Sequence, residues 1–319
     1  MKLPGMSENE AARLKSLHKL GLLDTQDDER FERLTRISRR LFQVPIALIN
    51  LIDRDRQWAL ACQGINGREM KRDISLCAHA IMLDEPLIIT DAREDARFYD
   101  NPLVTGTPFI RFYVGYPVRL PDGAVAGTLC LANSEPRRFT DEDIAAMKDV
   151  AAIVENEFQV THIAMVDSLT DIPNRRGFYA MGEKRFQQLQ QQDRDFAILY
   201  FDLDKFKPIN DLWGHAEGDN VLKIFAALLY QQLGPDDIAG RLGGDEFAVL
   251  LARQSDAKAY LCRLREALSV WNQQAAKPYN INYSFGMIAS EAGKYASLAE
   301  MIGESDSVMY AEKRRKKPR

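Results

Sequence analysis

Two strand-length runs, Ile238 to Leu242 and Glu246 to Leu251, meet at Gly243-Gly244. A two-residue Gly-Gly connection between such runs is a β-hairpin turn, since glycine takes the positive φ that a tight turn demands. The hairpin sets Asp245 and Glu246 at its tip. A second acidic pair, Asp202 and Asp204, stands where the run Phe196 to Leu203 leaves the core. If the two strands are neighbours, Asp202, Asp245 and Glu246 converge on one sheet edge. Carboxylates gathered there repel one another unless a hard cation joins them. Mg²⁺ takes one or two carboxylates and completes its octahedron with phosphate oxygens and water. A pair of such ions clamps an in-line displacement at phosphorus. Without a Cβ, Gly243 and Gly244 also let a phosphate or a ribose lie directly on the hairpin backbone.

The residues after Asp204 extend this reading. Lys205 and Lys207 fall on a strand-to-helix turn, whose free N–H groups and positive charge make a phosphate site. Asn210 and Asp219 together can read a purine edge. Guanine offers N1–H and N2–H₂ donors to an aspartate, and O6 and N7 acceptors to an amide. Taken singly, these acids are ordinary solvated turn residues, and a lone Gly-Gly hairpin is a weak signal. Their combination is far more specific.

At 319 residues the chain is long enough for two domains. Hydrophobic residues at 46% and charged residues at 28% are the balance of a globular protein with real cores. A net charge of −4 gives no global pull on nucleic acid or anionic lipid, so neither is an expected partner. The basic run Lys313 to Arg319 reads as a solvated helix end or as a phosphate contact. No segment has the apolar length of a signal peptide or a membrane span. Cys62, Cys77, Cys130 and Cys262 lack zinc or redox spacing and read as reduced thiols, which places the chain in the cytoplasm.

The first half reads as two helices, about Glu8 to Leu20 and Asp28 to Phe42, then a strand at Pro45 to Ile52. Further strands are expected at Leu87 to Ile89, Phe112 to Val118 and Gly127 to Leu131, the last two joined by the turn Pro121-Asp122-Gly123. This is an α+β sensor-like domain over residues 1–140. Thr140 caps a long helix over 141–166. Its sevenfold spacing, Ile144, Ala151, Phe158 and Met165 with Met147, Val154 and Thr161 between, predicts a connecting coiled coil, against the plainer reading of one face packing on its own domain. Residues 167–319 interleave strands and helices as an α/β sandwich.

The stretch Asp202 to Asp219, together with Arg241 to Phe247, closely resembles the GGDEF domain of diguanylate cyclases. Asp167 to Arg176 resembles that family's opening signature, with Asp171 where glycine is usual. The resemblance implies a palm-like fold related to nucleotidyl cyclases. It also implies condensation of two GTP into cyclic di-GMP, with release of two pyrophosphates, by a homodimer that needs Mg²⁺ or Mn²⁺. Carried over by residue, it makes Asp202 and Asp245 metal ligands with the Leu203 carbonyl. Glu246 shares the metal and general-base roles with Asp245. Asn210 and Asp219 become guanine readers, and Lys207, Lys313 and the amides around Lys205 and Phe206 become phosphate contacts.

Two positions depart from the family pattern. Gly234 stands where an Arg-x-x-Asp feedback motif ending at Asp237 has its arginine, so weak or absent product inhibition is expected. Lys317 replaces an arginine near the C-terminus. The region Leu14 to Phe158 resembles a GAF domain through Ala47 to Asp53, Cys77 to Ile81, Asp91 to Arg93, Asn101 to Val104 and Gly127 to Cys130. It implies an unidentified small-molecule or protein signal and regulation through dimer geometry. Cys77 and His79 read as core, and Arg111 to Tyr113 as core or pocket lining. The competing reading of the whole chain is a catalytically silent GGDEF domain that binds GTP or relays dimerisation.

Overall fold

The computed structural model describes residues 1–316, which fall into two compact units divided between His162 and Ile163. The first unit opens with α1 (Glu10–Lys19) and α2 (Glu29–Leu41), the latter capped by Asp28, whose side chain accepts the Arg30 N–H. There follow β1 (Ile46–Ile52), β2 (Arg56–Gln63), β3 (Glu69–Lys71), α3 (Leu76–Ala80), β4 (Leu87–Ile89), α4 (Pro102–Thr105), β5 (Phe112–Arg119) and β6 (Val125–Asn133). The strands make one antiparallel sheet in the order β3-β2-β1-β6-β5-β4. β1 is buried along its whole length because both sheet faces are covered. Ala47, Ile49 and Leu51 face one core with α2, while Ile46, Leu48 and Ile52 face a second core with α3. Sequence reading missed β2 and β3. A register shift at Ile49/Asn50, where β1 meets β2, breaks the simple alternation that would mark a half-buried strand.

Helix α5 (Asp141–Met165) starts with a reciprocal cap: the Asp143 N–H donates to Thr140 Oγ1 at 3.1 Å, and the Thr140 N–H donates to Asp143 Oδ2 at 3.0 Å. The middle of the heptad seam on this helix packs on its own unit. Met147, Ala151, Val154 and Phe158 are buried within the first unit's own core, and the Phe158 ring lies 5.7 Å from that of Phe31. An amphipathic helix with one apolar face satisfies it on the nearest core, and here that core is the sheet. The outward stripe of the same helix instead exposes Ile153 (47%), Val160 (54%) and Ile163 (67%).

The second unit contains α6 (Arg175–Gln191), β7 (Ala197–Leu203), α7 (Phe206–Trp213), α8 (His215–Gln231), β8 (Ile238–Gly243), β9 (Glu246–Leu251), α9 (Ala257–Gln274), β10 (Tyr283–Ala289) and α10 (Leu298–Lys316). Its antiparallel sheet runs β10-β7-β9-β8, with β8 and β9 forming the Gly-Gly hairpin. Strand parity divides the core. Leu199, Phe201, Phe247 and Val249 pack with α8 and α9, whereas Ile198, Tyr200, Ala248 and Leu250 pack with α6 and α10. Asp202 and Glu246 continue the second of these faces beyond the apolar core. No described helix is long and apolar enough to cross a membrane.

Candidate functional site

Strands β7 and β9 are hydrogen-bonded neighbours, and their register sets Asp202 directly opposite Glu246. Asp245 follows the turn, and its carbonyl accepts the Leu203 N–H at 3.2 Å. Gly244 has φ +43, and a Cβ at Gly243 or Gly244 would meet nothing within 4 Å, so the hairpin tip is open to an incoming group. The register therefore brings Asp202 and Glu246 side by side at one end of the two central strands, with Asp245 next along the chain.

Electrostatics mark this edge as short of positive charge. Burial raises the Asp245 carboxyl above its ordinary pKa, and Asp202 raises it further. Burial also raises Glu246, which a hydrogen bond from Tyr200 opposes while Asp306, Asp202 and Asp245 add to it. Lys313 on α10 pairs with Asp202. This half-buried set of oxygen ligands fits a hard divalent cation, with Lys313 supplying part of the neutralisation. Among the described residues, no group of three His, Cys, Asp or Glu side chains is drawn together as a closed metal cage.

Asp204 is engaged by partners of its own. Its carboxylate accepts from Ser284 Oγ at 2.7 Å and lies 3.4 Å from Lys316 Nζ, which also donates to the Tyr283 carbonyl at 2.8 Å. Lys205 takes the left-handed conformation, φ +58, just before α7, and no side chain caps that helix. The exposed Lys205 and Lys207 flank its first turn, where Pro208 leaves few N–H groups to present. Gly214, φ +85, folds α7 back on α8. Asn210 lies against Gly218, while Asp219 is exposed one residue further on. Lys317 lies outside the described residues.

Sequence reading passed over the brace behind the hairpin. Arg241 donates from Nε and Nη2 to the Gly244 carbonyl at 3.0 and 2.8 Å, and from Nη1 to Asp167 at 3.0 Å. Asp167 also accepts from the Thr170 N–H and hydroxyl. The Asp-x-x-Thr spacing at 167–170 signals this turn. Asp171 has φ +54, the region where glycine costs least, so the departure from the glycine pattern carries a backbone cost. Elsewhere, Asp237 is spent on structure: its two oxygens accept the Gly234 and Ala252 N–H groups at 2.7 and 2.8 Å. In the first unit, Cys77 is buried as expected, while His79 packs edge-on to Phe98 and meets the Lys2 carbonyl. Tyr113 lines a cavity, whereas Arg111 bonds the Val104 and Ile110 carbonyls.

Residues 164–319 match the family described as diguanylate cyclase, GGDEF domain, and residues 28–158 match the GAF domain. A cyclic di-GMP phosphodiesterase of Pseudomonas aeruginosa is 39% identical over 83% of this chain, which spans only 45% of that protein's length. The diguanylate cyclase DgcP of Escherichia coli is 27% identical, covering 76% of this chain and 75% of that one. The diguanylate cyclase TpbB of Pseudomonas aeruginosa is 40% identical over 35% of this chain and 27% of its own. Among solved structures, the coiled coil and GGDEF domain of DgcB from Caulobacter crescentus, in complex with c-di-GMP, aligns at 25% identity with a TM-score of 0.49 over 54% of this chain and 93% of that one.

Proposed function

Because the chain belongs to the GGDEF diguanylate cyclase family and carries a GAF domain ahead of that module, we propose that it condenses two GTP into cyclic di-GMP and releases two pyrophosphates. The observation that carries this reading is Asp202 opposite Glu246 with Asp245 at an open glycine tip. Asp202 and Asp245, with the Leu203 carbonyl, would hold Mg²⁺ or Mn²⁺. Bound there, such an ion neutralises charge developing on the phosphates and acidifies the attacking hydroxyl.

The chain's own groups do the positioning. Asn210 and Asp219 read guanine, and Lys207 and the amides of Lys205 and Phe206 hold phosphate oxygens. Lys313 offsets the charge of Asp202 until substrate arrives, and Glu246 takes part as metal ligand or base. Each module holds one GTP, so the 3′-hydroxyl of one nucleotide must meet the α-phosphate of another across a homodimer. Most of the rate enhancement then comes from orientation and charge neutralisation. The exposed stripe Ile153, Val160 and Ile163 is a face that a second copy could cover. Signals at the GAF domain would act through that geometry, with weak feedback because Gly234 supplies no guanidinium.

Purified protein incubated with GTP and Mg²⁺ or Mn²⁺ tests the reading, with cyclic di-GMP measured by chromatography. Product from wild type and none from Asp245→Ala is the expected result. Absence of product from dimeric wild type overturns it. GTP binding by calorimetry under those conditions would then favour a silent nucleotide-binding relay.

A further inference from the structure

Two thiols that the proposed cyclase chemistry leaves unused lie together beside a cavity of about 430 Å³ in the first unit, lined by Asn50, Leu76, Cys77, Ile110, Tyr113 and Cys130 among others. No acidic or basic side chain lines it. Cys77, in the first turn of α3, is 3% exposed, and Cys130, on β6, is 2% exposed. Asn50 Nδ2 donates to both sulfurs at 3.2 Å, and the Tyr113 hydroxyl donates to Cys77 at 3.2 Å. Asn50 Oδ1 has no partner among the described residues although the side chain is fully buried. Thiols that merely fill a core behave as small hydrophobes and need no donors. Here two buried donors, Asn50 and Tyr113, are directed at sulfur.

These contacts separate the two thiols. Burial pushes the Cys77 thiol up, but hydrogen bonds from Cys130, Tyr113 and Asn50 outweigh it and hold it below the ordinary value. The same bond to Cys77 raises Cys130, which burial raises further. Two side-chain donors reach Cys77 and one reaches Cys130, so Cys77 is the better supported of the two as a thiolate.

We propose that Cys77 and Cys130 are a peroxide-responsive dithiol, oxidised to a disulfide by hydrogen peroxide that enters the cavity. The Cys77 thiolate attacks one peroxide oxygen, the O–O bond breaks, and the other oxygen leaves as water after protonation. Cys130 sulfur then attacks the Cys77 sulfenic acid. The S–S bond forms, the S–O bond breaks, and a second water departs with the Cys130 proton. Two thiols lose two electrons, and one peroxide is reduced to two waters. An uncharged cavity lining admits a small neutral oxidant and disfavours the larger, charged glutathione disulfide.

The test uses the full chain, fully reduced and exposed to hydrogen peroxide, with thiols then blocked and mapped by peptide mass spectrometry. The exposed Cys262 provides the internal comparison. A Cys77–Cys130 disulfide is expected to form at least about tenfold faster than Cys262 is oxidised. Tyr113→Phe should slow it by about tenfold, the equivalent of one lost hydrogen bond. Cys130→Ser should leave a sulfenic acid at Cys77 that dimedone captures. Oxidised glutathione should modify Cys262 before it touches the pair. Cys77 remaining reduced while Cys262 oxidises would overturn the proposal, as would an unaltered rate in folded Tyr113→Phe or no dimedone adduct in Cys130→Ser. Peptide mapping needs no turnover, so the result is independent of the cyclase reading.

Discussion

Asp202 and Glu246 stand directly opposite each other across β7 and β9, two acids at a cross-strand position where like charges destabilise a sheet. Lys313 pairs with the first and Tyr200 hydrogen-bonds the second. Asp245 is pushed upward by burial and Asp202 together, and the Lys313 and Arg241 charges offset only part of that. The edge is held in a charge state that folding alone does not favour. Sites built for a cation show this kind of stored cost.

That cost has a sign that melting experiments can read. A carboxyl whose pKa is raised on folding binds protons more tightly in the native state, so native stability rises as pH falls through the folded value. Metal-free Asp245→Asn should therefore melt higher than wild type near neutral pH, by the equivalent of about 0.5–2 kcal/mol. The gain should fade in acid, as Asp245 in wild type takes up its own proton. Cyclic di-GMP formation should vanish in the same variant. A variant no more stable than wild type near neutrality would contradict this account.

If Asn210 reads guanine as proposed, that reading depends on a glycine. A Cβ built at Gly218 would lie 1.8 Å from Asn210 Oδ1, so Gly218→Ala must displace that amide. The rest of α8 gains a better helix former, worth about 0.5–1 kcal/mol. The expected outcome is a KM for GTP raised about tenfold or more, as in Asn210→Ala, with melting temperature unchanged or higher. Steady-state kinetics decide it: an unchanged KM would show that Asn210 does not contact the base.

Much of the second unit was legible because its signals are local. The Gly-Gly turn fixed the β8–β9 hairpin, and the apolar run before Asp202 fixed β7, so two short segments already placed Asp202 and Glu246 side by side, with Asp245 next along the chain. The Arg241 brace was harder to read, since its partners are a main-chain carbonyl and Asp167, 74 positions away. The seam on α5 was hard to read for a related reason. Spacing by sevens reports that one helix face is apolar, and only the tertiary structure decides whether a partner chain or the helix's own sheet covers it. Asp204 likewise shares a motif with Asp202, yet it lies just past the end of β7, where the Ser284 hydroxyl engages it.

Feedback by product should be weak. With both Asp237 oxygens occupied by backbone N–H groups and Gly234 in the place of an arginine, this corner has no fork for guanine or phosphate. Initial rates should be unchanged by cyclic di-GMP at micromolar concentration. Asp237→Ala should cost about 1–3 kcal/mol, because the N–H of buried Ala252 loses its acceptor, without altering the response to product. Inhibition that Asp237→Ala relieves would refute the assignment.

The two faces of α5 should respond to charge in opposite ways. Phe158 is fully buried against Phe31, so Phe158→Glu removes about 3–5 kcal/mol of packing and buries an unpaired carboxylate. It should unfold the first unit, seen as lost near-ultraviolet circular dichroism. Val160 is 54% exposed and Ile153 is 47% exposed, and a glutamate at either has no such cost. If the outward stripe joins two copies, Ile153→Glu with Val160→Glu should leave the fold intact, shift sedimentation from dimer to monomer and abolish cyclic di-GMP formation. A folded double variant that remains dimeric and active would exclude this stripe, and the half-sites would then have to meet through another surface.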